Sequence, residues 1–225
     1  MLQIAIAGTP KGSENFIAAL EALGAAGVSV LEAPDALADA CHGLILPGGA
    51  DIDPALFGEE NHGSTIIERD RDLRQLSLLD RFLKAGRPVL GVCKGHQLLN
   101  VYFGGKICQH IPEYATHQWM GEAGDQAHGS RCLPGSFLAA LYGETEFPVN
   151  SAHHQAVLVP APGFHFIQWA PDGVPEAMVH EALPLTGIQW HPERMCLKHR
   201  RQDTVDGLPV FRWFLEQVGT CTDNA

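Results

Sequence analysis

The 225-residue chain is 45% hydrophobic and 18% charged and carries no long polar tract, which excludes disorder as its dominant state. Its formal net charge of -11, with 15 scattered basic residues, excludes the clustered Lys and Arg that a phosphate backbone demands, so nucleic acid is not an expected partner. No window approaches the run of about 20 apolar residues needed to cross a bilayer, and Met1 to Ala7 has no basic start of the kind that opens a leader. A cytoplasmic protein with no membrane partner is expected, folded as one domain over residues 1–225. Six cysteines (Cys41, Cys93, Cys108, Cys132, Cys196, Cys221) are too sparse for a disulfide framework.

Short aliphatic runs at Leu2 to Ala7, Val28 to Glu32 and Gly43 to Leu46 predict strands. Helical spacing lies between them, at Glu14 to Leu23 and Pro34 to Cys41. Such alternation implies βαβ units and a parallel sheet. Ala50 to Ile67 is rich in Gly, Pro and polar residues and reads as a loop over the carboxyl edge. Leu73, Leu76, Leu79, Phe82 and Leu83 mark one face of a helix over Arg69 to Ala85, with Gly86 as its stop. A strand at Pro88 to Val92, a helix at Leu98 to Phe103 and a strand at Lys106 to Ile111 follow. Pro112 to Pro134 shows little periodicity and is expected to be a surface excursion. Strand-like pieces at Phe147 to Asn150, Val157 to Val159, His165 to Ala170, Ala177 to His180 and Thr186 to Gln189 predict an antiparallel extension of the sheet, closed by a helix at Val210 to Val218.

Chemistry concentrates at Gly91-Val92-Cys93-Lys94-Gly95-His96-Gln97, where a predicted strand meets a predicted helix. A thiol at such a bend sits at the sheet's carboxyl edge beside unpaired backbone N–H groups, and Gly91 and Gly95 place no Cβ in its way. A free thiol is only a few per cent thiolate at neutral pH, so Cys93 needs the helix start and a base to act as a nucleophile. His191, in Gln189-Trp190-His191-Pro192-Glu193, follows a strand of buried character. Glu193 stands two residues on, where its carboxylate reaches the other ring nitrogen. Gly48 and Gly49, after Pro47, and the backbone N–H of Lys94 are candidate donors for an oxyanion.

These residues match a known pattern. The cysteine segment with His-Pro-Glu resembles the class I glutamine amidotransferase-like superfamily. Further segments resemble the gamma-glutamyl-gamma-aminobutyrate hydrolase family within it: Leu46 to Pro54, Arg71-Asp72, Asn100-Val101 with Gly104-Gly105, Val149 to Gln155, and Asp172-Gly173-Val174 with Glu176-Ala177. The resemblance implies a three-layer α/β, flavodoxin-like fold: a mainly parallel central sheet, helices on both faces and a small antiparallel extension. It implies a Cys93, His191 and Glu193 triad that hydrolyses a γ-glutamyl amide through a thioester. It places Gly48, Gly49 and Lys94 at the oxyanion, Gln97 near the glutamyl group, and Asn150, Ser151, His153 and His154 beside the pocket. The expected partner is that small-molecule substrate; self-association into a homodimer stays open.

Three departures stand out. Gln75 occupies the place of an acidic residue four positions after Arg71, Phe16 the region of an expected tyrosine, and Lys11 to Asn15 leaves little chain to roof the pocket. His110, His117, His128, His153 and His154 cluster in sequence without a His-x-x-x-His or Cys-x-x-Cys spacing, and adjacent strand residues such as His153 and His154 face opposite ways, so no metal or cofactor is expected. Two rival readings remain: a glutaminase subunit feeding ammonia to a synthase, and a reactive-thiol binding or redox-sensing module. The acidic surface is compatible with an amine or polyamine leaving group.

Overall fold

The structure, a computed structural model, describes residues 1–223. Its first part alternates: β1 (Gln3–Ile6), α1 (Pro10–Ala22), β2 (Ala26–Ser29), α2 (Asp35–Asp39), β3 (Gly43–Leu46), α3 (Arg69–Lys84), β4 (Val89–Val92) and α4 (Lys94–Tyr102). Its second part is richer in strands: β5 (Gln126–Cys132), α5 (Phe137–Tyr142), β6 (Glu146–Ser151), β7 (Phe164–Trp169), β8 (Pro175–His180), β9 (Leu185–Ile188) and α6 (Leu208–Asp223). One nine-stranded sheet joins both parts in the order β2-β1-β3-β4-β9-β8-β7-β5-β6. Pairings from β2 to β9 are parallel, and those from β9 outward are antiparallel.

The parallel strands are apolar on both faces because helices cover both. Ile4, Ile6, Ile45, Leu90 and Val92 point to the side packed by α1, α5 and α6, against Phe16, Leu20, Phe211 and Phe214. Ala5, Leu44, Leu46 and Val89 alternate to the other side, against Leu78, Leu79 and Phe82 of α3 and Leu98 and Leu99 of α4. Each of these large side chains contributes about 1.5–3 kcal/mol by leaving water. The helix ends follow ordinary chemistry. Thr9 caps α1 by accepting the Gly12 N–H at 3.2 Å, Pro10 occupies its first turn, and α3 carries Asp70 and Asp72 at its start with Arg81 and Lys84 at its end.

Several expectations are corrected. The Thr9 cap starts α1 at Pro10, four residues before Glu14. Lys106 to Ile111 and Val157 to Val159 form no strands; the first makes only the isolated bridge Cys108↔Ala156, just before the second. The expected surface excursion at 112–134 contains β5, whose polar sequence Gln-Ala-His-Gly-Ser-Arg-Cys is held by a six-pair ladder to β6. Helix α5, capped by Ser136, is an element beyond those expected. No helix of the described residues is long and apolar enough to cross a membrane, and all six cysteines are free.

Strands β3, β4 and β9 end side by side, in the registers Leu46↔Gly91 and Val92↔Ile188. Gly48, Cys93 and His191 therefore leave the sheet at one carboxyl edge, the usual place for a site in an open α/β sheet.

Candidate active site

The bend after β4 is sharp. Cys93 has φ 52° and ψ −107°, a conformation that costs a non-glycine residue on the order of 1–3 kcal/mol. Its N–H donates to the Ile188 carbonyl at 2.7 Å, and its carbonyl accepts the Gln97 N–H, the first bond of α4, at 3.2 Å. Glycine is required at position 95 by proximity: a Cβ there would stand 2.0 Å from the Leu46 carbonyl oxygen. The thiol is thus fixed at the start of α4, where the Lys94 N–H has no acceptor within the helix and the dipole favours an anion.

His191 follows β9 directly, and Pro192 turns the chain into a short 3₁₀ segment that brings Glu193 back beside the ring. His191 Nδ1 lies 2.8 Å from Glu193 Oε1, and Cys93 and His191 meet against Gly48. Burial and the Arg194 charge push the His191 pKa down, yet Glu193 and Cys93 outweigh them and hold it up at about 9. Burial alone would raise the Glu193 pKa, but the His191 and Arg194 charges keep it below the usual carboxylate range. Gly48 closes over the pair: a Cβ on it would sit 2.8 Å from His191 Cε1 and 3.5 Å from Cys93 Cβ. Any larger residue would part the base from the thiol.

Gly48, Gly49, Cys93, His191 and Glu193 line one groove of ≈ 480 Å³. A larger hollow of ≈ 680 Å³ lies over β5, β6 and β7, and no cysteine or histidine lines it. The Lys94 backbone opens α4, while its ammonium is buried in an ion pair with Asp72 at 2.5 Å. Asp72 also accepts the Asp53 N–H at 3.0 Å, so the Asp-Ile-Asp-Pro turn, α3 and the nucleophile's helix are tied at one carboxylate. Gln75 does not leave that edge bare; its amide donates to the Ala7 carbonyl at 2.8 Å.

The remaining candidates fall outside the groove lining. Gln97 turns inward, donating to the Gln155 carbonyl at 3.0 Å and to Gln189 Oε1 at 3.2 Å. Ser151 donates to the His117 carbonyl at 3.1 Å, His153 faces Glu176, and His154 pairs with Asp51 at 3.0 Å. Asn150 holds the backbone of His191 from both sides, accepting its N–H at 2.8 Å and donating to its carbonyl at 3.1 Å. From that loop only Ala152 reaches the groove. The opposite wall comes from α1: Lys11, Glu14, Asn15 and Phe16 line it, so the short N-terminal segment does contribute to the enclosure. Sequence reasoning missed Arg194, which bonds Asp125 at 2.9 Å and stands 3.4 Å from Glu193 Oε1. Its adjacency to Glu193 was the available signal.

A cysteine on a strand-to-helix bend, with a buried histidine and glutamate at the next strand's end, belongs to the class I glutamine amidotransferase-like proteins. Within that class the chain belongs to the peptidase C26 family, whose model matches residues 15–193. Protein NtpR of Enterococcus hirae is 34% identical over 218 residues, covering 93% of this chain and 89% of that protein. Gamma-glutamyl-gamma-aminobutyrate hydrolase PuuD of Escherichia coli is 32% identical over 163 residues, covering 67% of this chain and 63% of that protein. A solved structure from Thermoplasma acidophilum, named for GMP synthase, shares the fold with a TM-score of 0.69 over 99% of this chain and 96% of its own, at 18% identity. Membership makes the chain a cysteine hydrolase of the glutamine amidotransferase-like class.

Proposed function

We propose that the chain hydrolyses a γ-glutamyl amide to glutamate and a free amine. The observation that carries this reading is the buried Cys93, His191 and Glu193 constellation, with His191 held protonated beside the thiol. The sulfur attacks the γ-carbonyl carbon and forms the C–S bond. The oxyanion is met by the N–H of Lys94 and of the Gly48-Gly49 turn, each well-aimed donor contributing about 3 kcal/mol. His191 gives its proton to the amide nitrogen as the C–N bond breaks and the amine leaves. It then takes a proton from water, whose oxygen attacks the thioester, releases glutamate and regenerates the thiolate. Glu193 keeps the ring oriented throughout.

The groove's charges support a glutamyl substrate. Lys11 and Arg194 on its wall suit an α-carboxylate, and Glu14 suits an α-ammonium or a cationic leaving group. The name of the Escherichia coli relative points to the same bond class. The test is glutamate release from a panel of γ-glutamyl amines, with intact-mass detection of a γ-glutamyl adduct on Cys93. Turnover retained in full by Cys93→Ala overturns the reading.

A further inference from the structure

A second buried centre lies next to this site. Glu176, on β8, is fully buried, and neither carboxylate oxygen has a hydrogen-bond partner. Three imidazoles converge on its Oε1: His117 Nδ1 at 3.4 Å, His128 Nε2 at 3.5 Å and His153 Nε2 at 3.6 Å. These separations are long for hydrogen bonds. They are close to the edge of a tetrahedron, about 3.4 Å, drawn by four ligands at zinc's bond lengths of about 2.0–2.1 Å.

The far side of each ring is already engaged. His117 Nε2 stands 3.1 Å from Asp172 Oδ2, His128 Nδ1 2.9 Å from the Gly129 carbonyl, and His153 Nδ1 3.0 Å from the Gln155 carbonyl. All three partners only accept, so in a neutral ring those nitrogens carry the hydrogens and the nitrogens facing Glu176 present lone pairs. His117 Nδ1 also lies 3.1 Å from Ser151 Oγ, whose hydroxyl hydrogen reaches either that lone pair or the His117 carbonyl at 3.1 Å, so a metal on Nδ1 turns the hydroxyl to the carbonyl. Three lone pairs and a carboxylate facing one point repel unless a cation stands among them. A histidine braced from behind by a carboxylate or carbonyl is also how proteins present imidazole to a metal.

We propose that His117, His153 and Glu176 bind a divalent transition-metal ion of the zinc type. Ligating atoms of His117, His153 and Glu176 all lie within 4.8 Å of one another, and these residues are at most 6% exposed. His128, on β5, approaches Glu176 Oε1 at 3.5 Å but stands outside that group of three. Imidazole and carboxylate ligands suit zinc, cobalt or ferrous iron and disfavour calcium or magnesium. With three protein ligands the site leaves one position for water, and since none of the three lines the groove it takes no part in acyl transfer. It ties together β8, the 3₁₀ segment that ends at His117 and the loop after β6.

The test uses the tag-free full chain, stripped with chelator and dialysed, then titrated with cobalt(II) and, in parallel, zinc(II). One metal per chain is expected, with the visible absorption of four-coordinate cobalt and a raised melting temperature. His153→Gln and Glu176→Gln abolish that absorption, His110→Gln leaves it intact, and Asp172→Asn weakens affinity by about 10–100-fold. Less than about one-tenth equivalent bound by the folded wild-type chain overturns the proposal and assigns the cation's role to a proton shared among the rings. Wild-type uptake that is unchanged by His153→Gln or Glu176→Gln overturns it as well. The wild-type titration alone decides if those variants do not fold.

Discussion

Two buried charge centres meet at the end of β9, and they are built to opposite ends. At one, His191 stands between Cys93 and Glu193, Arg194 adds a positive charge, and one face opens on a groove. At the other, Glu176 is ringed by imidazoles whose outer nitrogens are all committed. The Gln189 N–H donates to the Glu176 carbonyl at 2.8 Å, so the two are joined through the backbone. The first arrangement lets a proton move between sulfur and ring. The second has every outer nitrogen committed and holds the chain segments around it in place. A polar cluster does chemistry when one member is free to change partner, and structure when none is.

The comparison predicts that changes at the first centre act on turnover and changes at the second on stability. Cys93→Ala is expected to lower kcat by at least about 10⁴-fold, read as glutamate release, with an unchanged melting curve. His191→Ala removes the proton carrier and is expected to cost about 10²–10⁴-fold in kcat. Glu176→Ala reverses the pattern: chemical denaturation should show a loss of about 3 kcal/mol, since the rings lose the charge they face, while kcat of the folded fraction falls less than tenfold. Asn150→Ala lies between the two. Losing both bonds to the His191 backbone is expected to cost about 1–3 kcal/mol and to lower kcat without raising KM.

The smallest effect is on the pH profile. The folded-state pKa of His191 is raised above the unfolded value of 6.5, so its stabilising contribution is complete below 6.5 and is lost as pH rises through about 9. Both kcat/KM and the melting temperature are expected to fall together above about pH 9. In Glu193→Gln the descending limb should move to lower pH. An unmoved limb would show that Glu193 does not hold the imidazolium.

The parallel half and the position of the chemistry are legible in the sequence. Its strands are continuous apolar runs, its long helix α3 shows a clean 3-and-4 period, and Gly95 and Gly48 mark backbone approaches that no side chain tolerates. The antiparallel half is less so. Strand β5 lacks β-branched residues and owes its form to pairing with β6, a cause that lies outside its own sequence. The resemblance puts Gln97 near the glutamyl group, but its side chain turns to Gln155 and Gln189. The His153-His154 pair diverges, as adjacency along the chain leads one to expect. What spacing does not reveal is that His117, His128 and His153 arrive at Glu176 from three separate elements.

Asn150 carries one more consequence. It sits on β6, the outermost strand, four places from β9 along the sheet, yet it grips the peptide of His191 on both sides. The antiparallel half must therefore curl back over the carboxyl edge, and the free rim of the sheet works as a latch on the base. A one-residue slip of β6 against β5 would turn Asn150 away and release His191 without disturbing Cys93. Anything that peels this rim strand loose would silence the hydrolase from a distance while leaving its parallel core folded.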